Sequence, residues 1–256
     1  MKKISIVFSI FFFIATLSFA QEGKMDNEAA KLYNAGNKQK KSGDYAGAIS
    51  TYGDALKISK DYRIYYQMSS AYKKQRKFQE AEQALNACVE LNPKFTTAYN
   101  ALGTTYYSWG KYQQAVDSFK KFEESTEKKK AKKKAQKYIG LSYTKLGSQA
   151  LKDKSYGKAT EYLMSAVSNY NYDAAYLKLA DIYIETGKYS EALQAADNAI
   201  NYRSKKSKLP KGAPYFYKGL AFKGLKQYDK AKENFSVAKK DKQYRDRSKH
   251  EMKYMN

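Results

Sequence analysis

Residues 99–122 read YNALGTTYYSWGKYQQAVDSFKKF, and this stretch decides the fold. Tyr99, Leu102, Gly103 and Tyr106 recur at spacings of three and four, which puts them on one face of a helix. Gly110 then interrupts the pattern, and Tyr112, Ala115, Phe119 and Phe122 open a second face with similar spacing. The stretch therefore predicts two short amphipathic helices joined by a glycine turn. Gly103 lets the second helix approach the first closely, and Ala115 does the same from its side. The aromatic rings fill the space between.

Outward from this stretch the second-helix pattern returns, with its alanine at 48, 81, 115, 159, 192 and 231. The spacings are 33, 34, 44, 33 and 39, so three fit a period near 34 residues and two carry insertions. Four residues after each alanine stand Tyr52, Leu85, Phe119, Leu163, Ala196 and Phe235. The first-helix pattern keeps the same phase, with a small residue at Gly36, Ser69, Gly103, Gly147, Ala180 and Gly219. Aromatic or leucine partners precede it at Leu32, Tyr65, Tyr99, Tyr143, Tyr176 and Tyr215. Repeats of this size stack so that each unit buries its apolar face against the next.

These residues resemble the tetratricopeptide repeat, a 34-residue helix–turn–helix unit. The match is best at Tyr99, Leu102, Gly103, Tyr106, Ala115, Phe119 and Phe122, and at Tyr176, Leu179, Ala180, Tyr183, Ala192, Ala196 and Ala199. Pro93 also stands where the family often ends its second helix. The resemblance covers residues 29–240. It implies an all-α, right-handed α-solenoid of about six units, at 29–61, 62–95, 96–127, 140–172, 173–205 and 212–240. Gln39 and Lys218 occupy positions that the family usually keeps apolar, which weakens the first and last units. End repeats meet solvent on one side, so deviation is expected there. Residues 241–256 are expected to form a capping helix and tail, with Tyr244, Met252 and Tyr254 over the open face of the last unit.

The N-terminus reads as an export signal over residues 1–20, followed by a short segment over 21–28. Lys2 and Lys3 precede an apolar run from Ile4 to Leu17, and Ser18-Phe19-Ala20 places small residues where a signal peptidase cuts. The run is short for a spanning helix, which needs about 20 apolar residues. An uncleaved anchor is the competing reading. Position 21 is Gln, so lipoprotein processing is not indicated. Cleavage after Ala20 leaves a mature chain with no membrane span, periplasmic or secreted from a bacterium.

The net charge is +23, or +21 once Lys2 and Lys3 are removed. A balance this basic favours an acidic protein or peptide, or an anionic envelope polymer. Export places nucleic acid last among such partners. Cys88 is the only cysteine and His250 the only histidine. That pair cannot assemble the usual metal sites or the His-based catalytic arrangements, so no cofactor, no metal and no enzymatic activity are expected. Cys88 occupies a small-residue core position, and Glu161, Glu191 and Glu233 are scattered on outer faces rather than gathered in a pocket.

Two insertions interrupt the period. Residues 128–139 carry Lys128, Lys129, Lys130, Lys132, Lys133, Lys134 and Lys137, while Ala131, Ala135, Tyr138, Ile139 and Ser142 keep helical spacing through them. One helix from about Lys128 to Lys152 is predicted, its first turns projecting beyond the repeat. Its lysines form a solvated face or an anion-docking arm. The second insertion, Ser204 to Lys211, reads as a basic loop.

In this architecture the first helices line a concave groove. The resemblance assigns its exposed positions to Tyr33, Asn37, Tyr66, Gln67, Asn100, Thr104, Tyr107, Lys145, Lys178 and Tyr217. Tyrosine supplies rigid contact area and amides pair with peptide backbone, which suits an extended segment. Some co-chaperones of the family clamp a C-terminal carboxylate. Here Asn37 fits that clamp, but Tyr33 stands for its Lys, Gln67 for its second Asn, and Thr97 and Ala101 for its last basic pair. The clamp is not carried over. The leading expectation is an exported adaptor that binds a protein segment and supports an envelope complex. The alternative is a basic scaffold on peptidoglycan or lipopolysaccharide.

Overall fold

The computed structural model describes residues 23–253 and 255. The expected export signal over residues 1–20, together with residues 21, 22, 254 and 256, lies outside them. Among the described residues there are thirteen α-helices and no strand: α1 (Asn27–Lys41), α2 (Tyr45–Ile58), α3 (Tyr62–Lys74), α4 (Phe78–Leu91), α5 (Thr96–Trp109), α6 (Tyr112–Ser125), α7 (Lys129–Lys152), α8 (Tyr156–Asn169), α9 (Asp173–Glu185), α10 (Tyr189–Asn201), α11 (Ala213–Gly224), α12 (Tyr228–Ala238) and α13 (Arg245–Lys253). Consecutive helices pack as pairs, and each second helix also packs on the first helix of the next unit. The result is an all-α repeat scaffold of six helical hairpins followed by α13.

Every hairpin turns the same way. The residue that closes the first helix has positive φ in all six units: Gly43, Arg76, Gly110, Lys154, Gly187 and Lys226. Each lies five residues before the repeat's alanine, so the turn recurs with the same spacing. The next residue donates its N–H back into the first helix, as Lys77 does to the Tyr72 carbonyl (3.0 Å), Lys111 to Tyr106 (3.0 Å) and Gln227 to Phe222 (2.9 Å). This closure pairs carbonyls that a helix end otherwise leaves unpaired, and it needs a left-handed residue. Aspartates cap the early helices: Asp26 accepts from the N–H of Glu28 and Ala29, Asp44 from Gly47, and Asp61 from Arg63.

The core of each hairpin is a small residue facing a large one. A Cβ placed on Gly36 would lie 2.6 Å from the Tyr52 ring, and one on Gly103 2.7 Å from Phe119. One on Gly147 would lie 2.7 Å from Leu163, and one on Gly219 2.6 Å from Phe235. The four large side chains are fully buried. Where the first helix already has a Cβ, at Ser69 and Ala180, the partner register holds Leu85 and Ala196, smaller than the Tyr52, Phe119 and Phe235 of the first, third and sixth units. The alanines 48, 81, 115, 159, 192 and 231 are all fully buried. Interiors pack close to crystal density, so the volume removed from one helix is returned by the other.

Helix α7 runs unbroken through the lysine-rich segment and spans 24 residues against 14 for α5. Ala135 and Ile139 are buried on its inner face, Tyr138 stacks on Phe119 with centroids 5.0 Å apart, and Gln136 donates to Glu123 at 2.7 Å. The extension therefore packs along α6. The last helix, α13, is shorter than the predicted cap and begins at Arg245. Tyr244, Met252 and Met255 pack against Phe216, Ala231, Phe235 and Ala238, which covers the open face of the sixth unit. Lys218, at a usually apolar position, is held by Asp197 at 2.6 Å. The side-chain oxygen of Gln39 is buried without a partner among the described residues. Between α10 and α11, the Arg203 guanidinium donates to the carbonyls of Leu209 and Pro210 and closes the basic loop.

Candidate partner-binding groove

First helices of successive units pack directly, α1 on α3, α3 on α5, α7 on α9 and α9 on α11. Polar side chains cross from one to the next. Lys40 of α1 donates to the Gln67 side chain of α3. Lys73 of α3 donates to Thr104 Oγ1 of α5 at 2.7 Å, and Thr104 in turn donates to the Ala101 carbonyl at 3.0 Å. At the other end Lys223 of α11 meets Glu251 of α13 at 2.7 Å.

Burial pushes the Lys73 ammonium down to about 8, with Lys74 adding a smaller repulsion. Burial also lowers Lys40. Tyr217 is driven far above the ordinary phenol range by burial first and then by the Asp181 carboxylate, with which it also shares a hydrogen bond. Cys88 is fully buried and its thiol is pushed up to about 12, chiefly by burial. A thiol held protonated in this way is packing rather than a nucleophile.

The residues assigned to the groove from sequence are less exposed than expected, with Lys145 the one exposed member. The others are half-buried because their rings and amides serve the scaffold as well. Tyr33 packs beside Tyr52 with centroids 6.3 Å apart, and Tyr66 meets Phe95 edge-on at 5.1 Å. Tyr107 meets Tyr112 at 5.6 Å and Tyr138 at 6.1 Å. The Asn37 amide oxygen accepts from Tyr52 Oη at 2.7 Å, so half of that amide is already engaged. Gln67 and Thr104 are engaged by Lys40 and Lys73. Lys178 and Tyr217 lie half-buried on α9 and α11. The Asn100 amide oxygen is buried with no hydrogen-bond partner among the described residues. A buried polar atom without a partner costs about 1–3 kcal/mol.

Sequence reasoning missed Lys40 and Lys73. The signal was present: each lies four residues after the small residue of its first helix, Gly36 and Ser69, and Lys223 lies four after Gly219. Lysine reads by default as a solvated face, so a repeat-phased lysine draws no notice.

The lysines of the α7 extension form a separate surface. Lys128, Lys129, Lys130, Lys132, Lys133, Lys134 and Lys137 are all exposed, and no carboxylate bridges any of them among the described residues. Lys137 lies over the Tyr170 ring, 5.8 Å from its centroid. The first turn of α7 has no acidic residue and no side-chain cap, an arrangement that the helix dipole disfavours. Among the described residues no helix is long and apolar enough to cross a membrane.

The sequence profile described as tetratricopeptide repeat matches residues 62–95, 96–129 and 173–206. The chain is 30% identical over 95 residues to small glutamine-rich tetratricopeptide repeat-containing protein 2 of Mycosarcoma maydis, covering 37% of this chain and 27% of that protein. It is 31% identical over 111 residues to heat shock protein STI1 of Saccharomyces cerevisiae, covering 43% of this chain and 19% of that protein. Against DnaJ homolog subfamily C member 3 of Gallus gallus the identity is 29% over 184 residues, 69% of this chain and 36% of that protein. The chain thus spans well under half the length of these relatives. The solved structure of MamA from Desulfovibrio magneticus RS-1 superposes with a TM-score of 0.50 at 18% identity, covering 72% of this chain and 100% of that one. At that identity the likeness is one of fold.

Proposed function

We propose that this chain of tetratricopeptide repeats is an exported scaffold that holds an extended protein segment along its first helices and supports assembly of an envelope complex. The observation that carries the reading is the groove face itself. Half-buried tyrosines, the Asn100 amide oxygen with no partner among the described residues, and the cross-helix lysines all lie on the first helices α1, α3 and α5. Such a surface pairs with peptide backbone and side chains at low entropic cost. Export is supported by the basic, apolar and small-residue order of residues 1–20. Chaperone docking through a C-terminal carboxylate is not part of the reading, because Tyr33, Gln67, Thr97 and Ala101 replace the clamp residues.

The competing reading is a scaffold on peptidoglycan or lipopolysaccharide, and the exposed lysines of α7 favour it. Affinity capture from envelope extracts separates the two. The mature protein is compared with a groove variant, Tyr66→Ala with Asn100→Ala, and with an arm variant carrying Gln at the seven lysines. A protein partner lost by the groove variant and retained by the arm variant at high salt supports the adaptor. Capture of glycan or lipid that collapses with salt, and is lost only in the arm variant, supports the polymer scaffold. Mass analysis of the exported chain tests cleavage after Ala20.

A further inference from the structure

Three lysines share one register position, four residues after the small residue of a first helix: Lys40, Lys73 and Lys223. Each reaches toward the next helix along the groove. Only one of them meets a carboxylate. Lys223 pairs with Glu251 of the capping helix α13, which packs on α12 as the first helix of a following unit packs on the second helix before it. Lys40 and Lys73 meet the neutral side chains of Gln67 and Thr104, and no carboxylate bridges either of them among the described residues. An ammonium has three N–H donors, and each of these two spends one on its neutral neighbour. A half-buried charge without a counter-charge is unfavourable in the free protein, and an arriving anion relieves it.

From this internal comparison, and resting on the groove reading above, we infer that Lys40 and Lys73 are the specificity-determining residues for an acidic peptide segment, whose two carboxylates take the places that Glu251 takes at Lys223. Adjacent packed helices lie about 8–10 Å apart. An extended chain advances about 3.3 Å per residue. The two acidic side chains therefore stand about three positions apart in the bound segment. Tyr66 and Tyr107 lie half-buried on the same first helices, α3 and α5. At the register position of the third unit Tyr107 replaces lysine, so charge recognition is confined to the first two units.

The test is fluorescence anisotropy with a labelled synthetic peptide that carries two glutamates about three positions apart, and with its glutamine counterpart. The mature chain is compared with Lys40→Met, Lys73→Met, the double variant, Lys223→Met, the groove variant and the arm variant. The expected result is preference of the wild type for the glutamate peptide. Each single variant weakens that binding about tenfold, the double variant reduces it to the level of the glutamine peptide, and Lys223→Met leaves it unchanged. Should the methionine variants fold poorly, a chain with Lys40→Glu and Lys73→Glu that prefers a lysine version of the peptide supports the inference equally. Equal binding of the glutamate and glutamine peptides by wild type overturns the inference. So does glutamate binding that survives the double variant. In those cases loss of peptide binding in the groove variant leaves the groove reading standing. Loss only in the arm variant overturns that reading as well.

Discussion

Units three and four are built on the same seam and differ in nearly everything around it. Unit three has a 14-residue first helix, a glycine at its turn and Gly103 against Phe119. Unit four has a 24-residue first helix, Lys154 at its turn and Gly147 against Leu163. The family profile finds the third and passes over the fourth. The approach of first to second helix is nevertheless the same, a would-be Cβ at 2.7 Å from the opposing side chain in both. The repeat must keep its interdigitation; helix length is free, provided that the extra turns find a surface. Those of α7 find α6, through Tyr138 on Phe119 and Gln136 on Glu123.

The largest effects are expected from deleting the large partner. Phe119→Ala should cost about 3–5 kcal/mol and Leu163→Ala about 2–5 kcal/mol, read by chemical denaturation. A Leu163→Ala cost below about 1 kcal/mol would mean that unit four does not depend on the shared seam. Next comes Gly103→Ala, which overpacks the seam and should cost about 1–3 kcal/mol. Combined with Phe119→Ala it imitates the Ala180 and Ala196 register of unit five. The double variant should then cost less than the sum of the two, because the new methyl enters the vacated space.

A smaller effect separates the two units by charge. Unit three receives Lys73 at Thr104, whereas Tyr107 stands where a lysine would reach unit four. Lys73 is held at about 8 in the folded chain, below its ordinary 10.5, mainly by burial. Below pH 8 both folded and unfolded states carry the proton. Between pH 8 and 10.5 the folded state releases it while the unfolded state keeps it, so stability contributed at this site rises with pH. Wild type should therefore gain on the order of 1 kcal/mol relative to Lys73→Met across this window, after allowance for solvent screening. Denaturation midpoints between about pH 7 and 9.5 read the difference before the tyrosines titrate. The raised phenols act in the opposite sense, since Tyr52 and Tyr106 lose stability only as pH climbs past their unfolded value of 10.0.

The smallest effect lies at the turns. Lys154→Gly should stabilise the chain by about 0.5–1 kcal/mol, because glycine adopts the left-handed turn without steric cost. The reverse exchange at Gly110, to lysine, should cost about 1 kcal/mol. Equal midpoints for both exchanges would show that the turns do not distinguish the units.

The six hairpins were legible because close approach demands small residues at fixed phase. Gly36, Ser69, Gly103, Gly147, Ala180 and Gly219 announce it, as do the alanines that face them. The turn position was partly legible. Glycine marks Gly43, Gly110 and Gly187, while Arg76, Lys154 and Lys226 take the same left-handed shape without advertising it. The groove was harder to read. Periodicity places Asn37, Gln67 and Thr104 on first helices, but it does not say that Tyr52, Lys40 and Lys73 engage them.

By itself the sequence determined the class of fold, the number of hairpins and the residues of the core. Those follow from local helix periodicity and from the volume each position allows. Only the tertiary structure decided which polar groups are satisfied. Whether a lysine meets an amide, a hydroxyl or Glu251 depends on the neighbouring helix that packing brings alongside, about thirty residues away in the chain. The balance of charge along the first helices is a property of those juxtapositions, and so is the pair at Lys40 and Lys73, which no carboxylate bridges among the described residues.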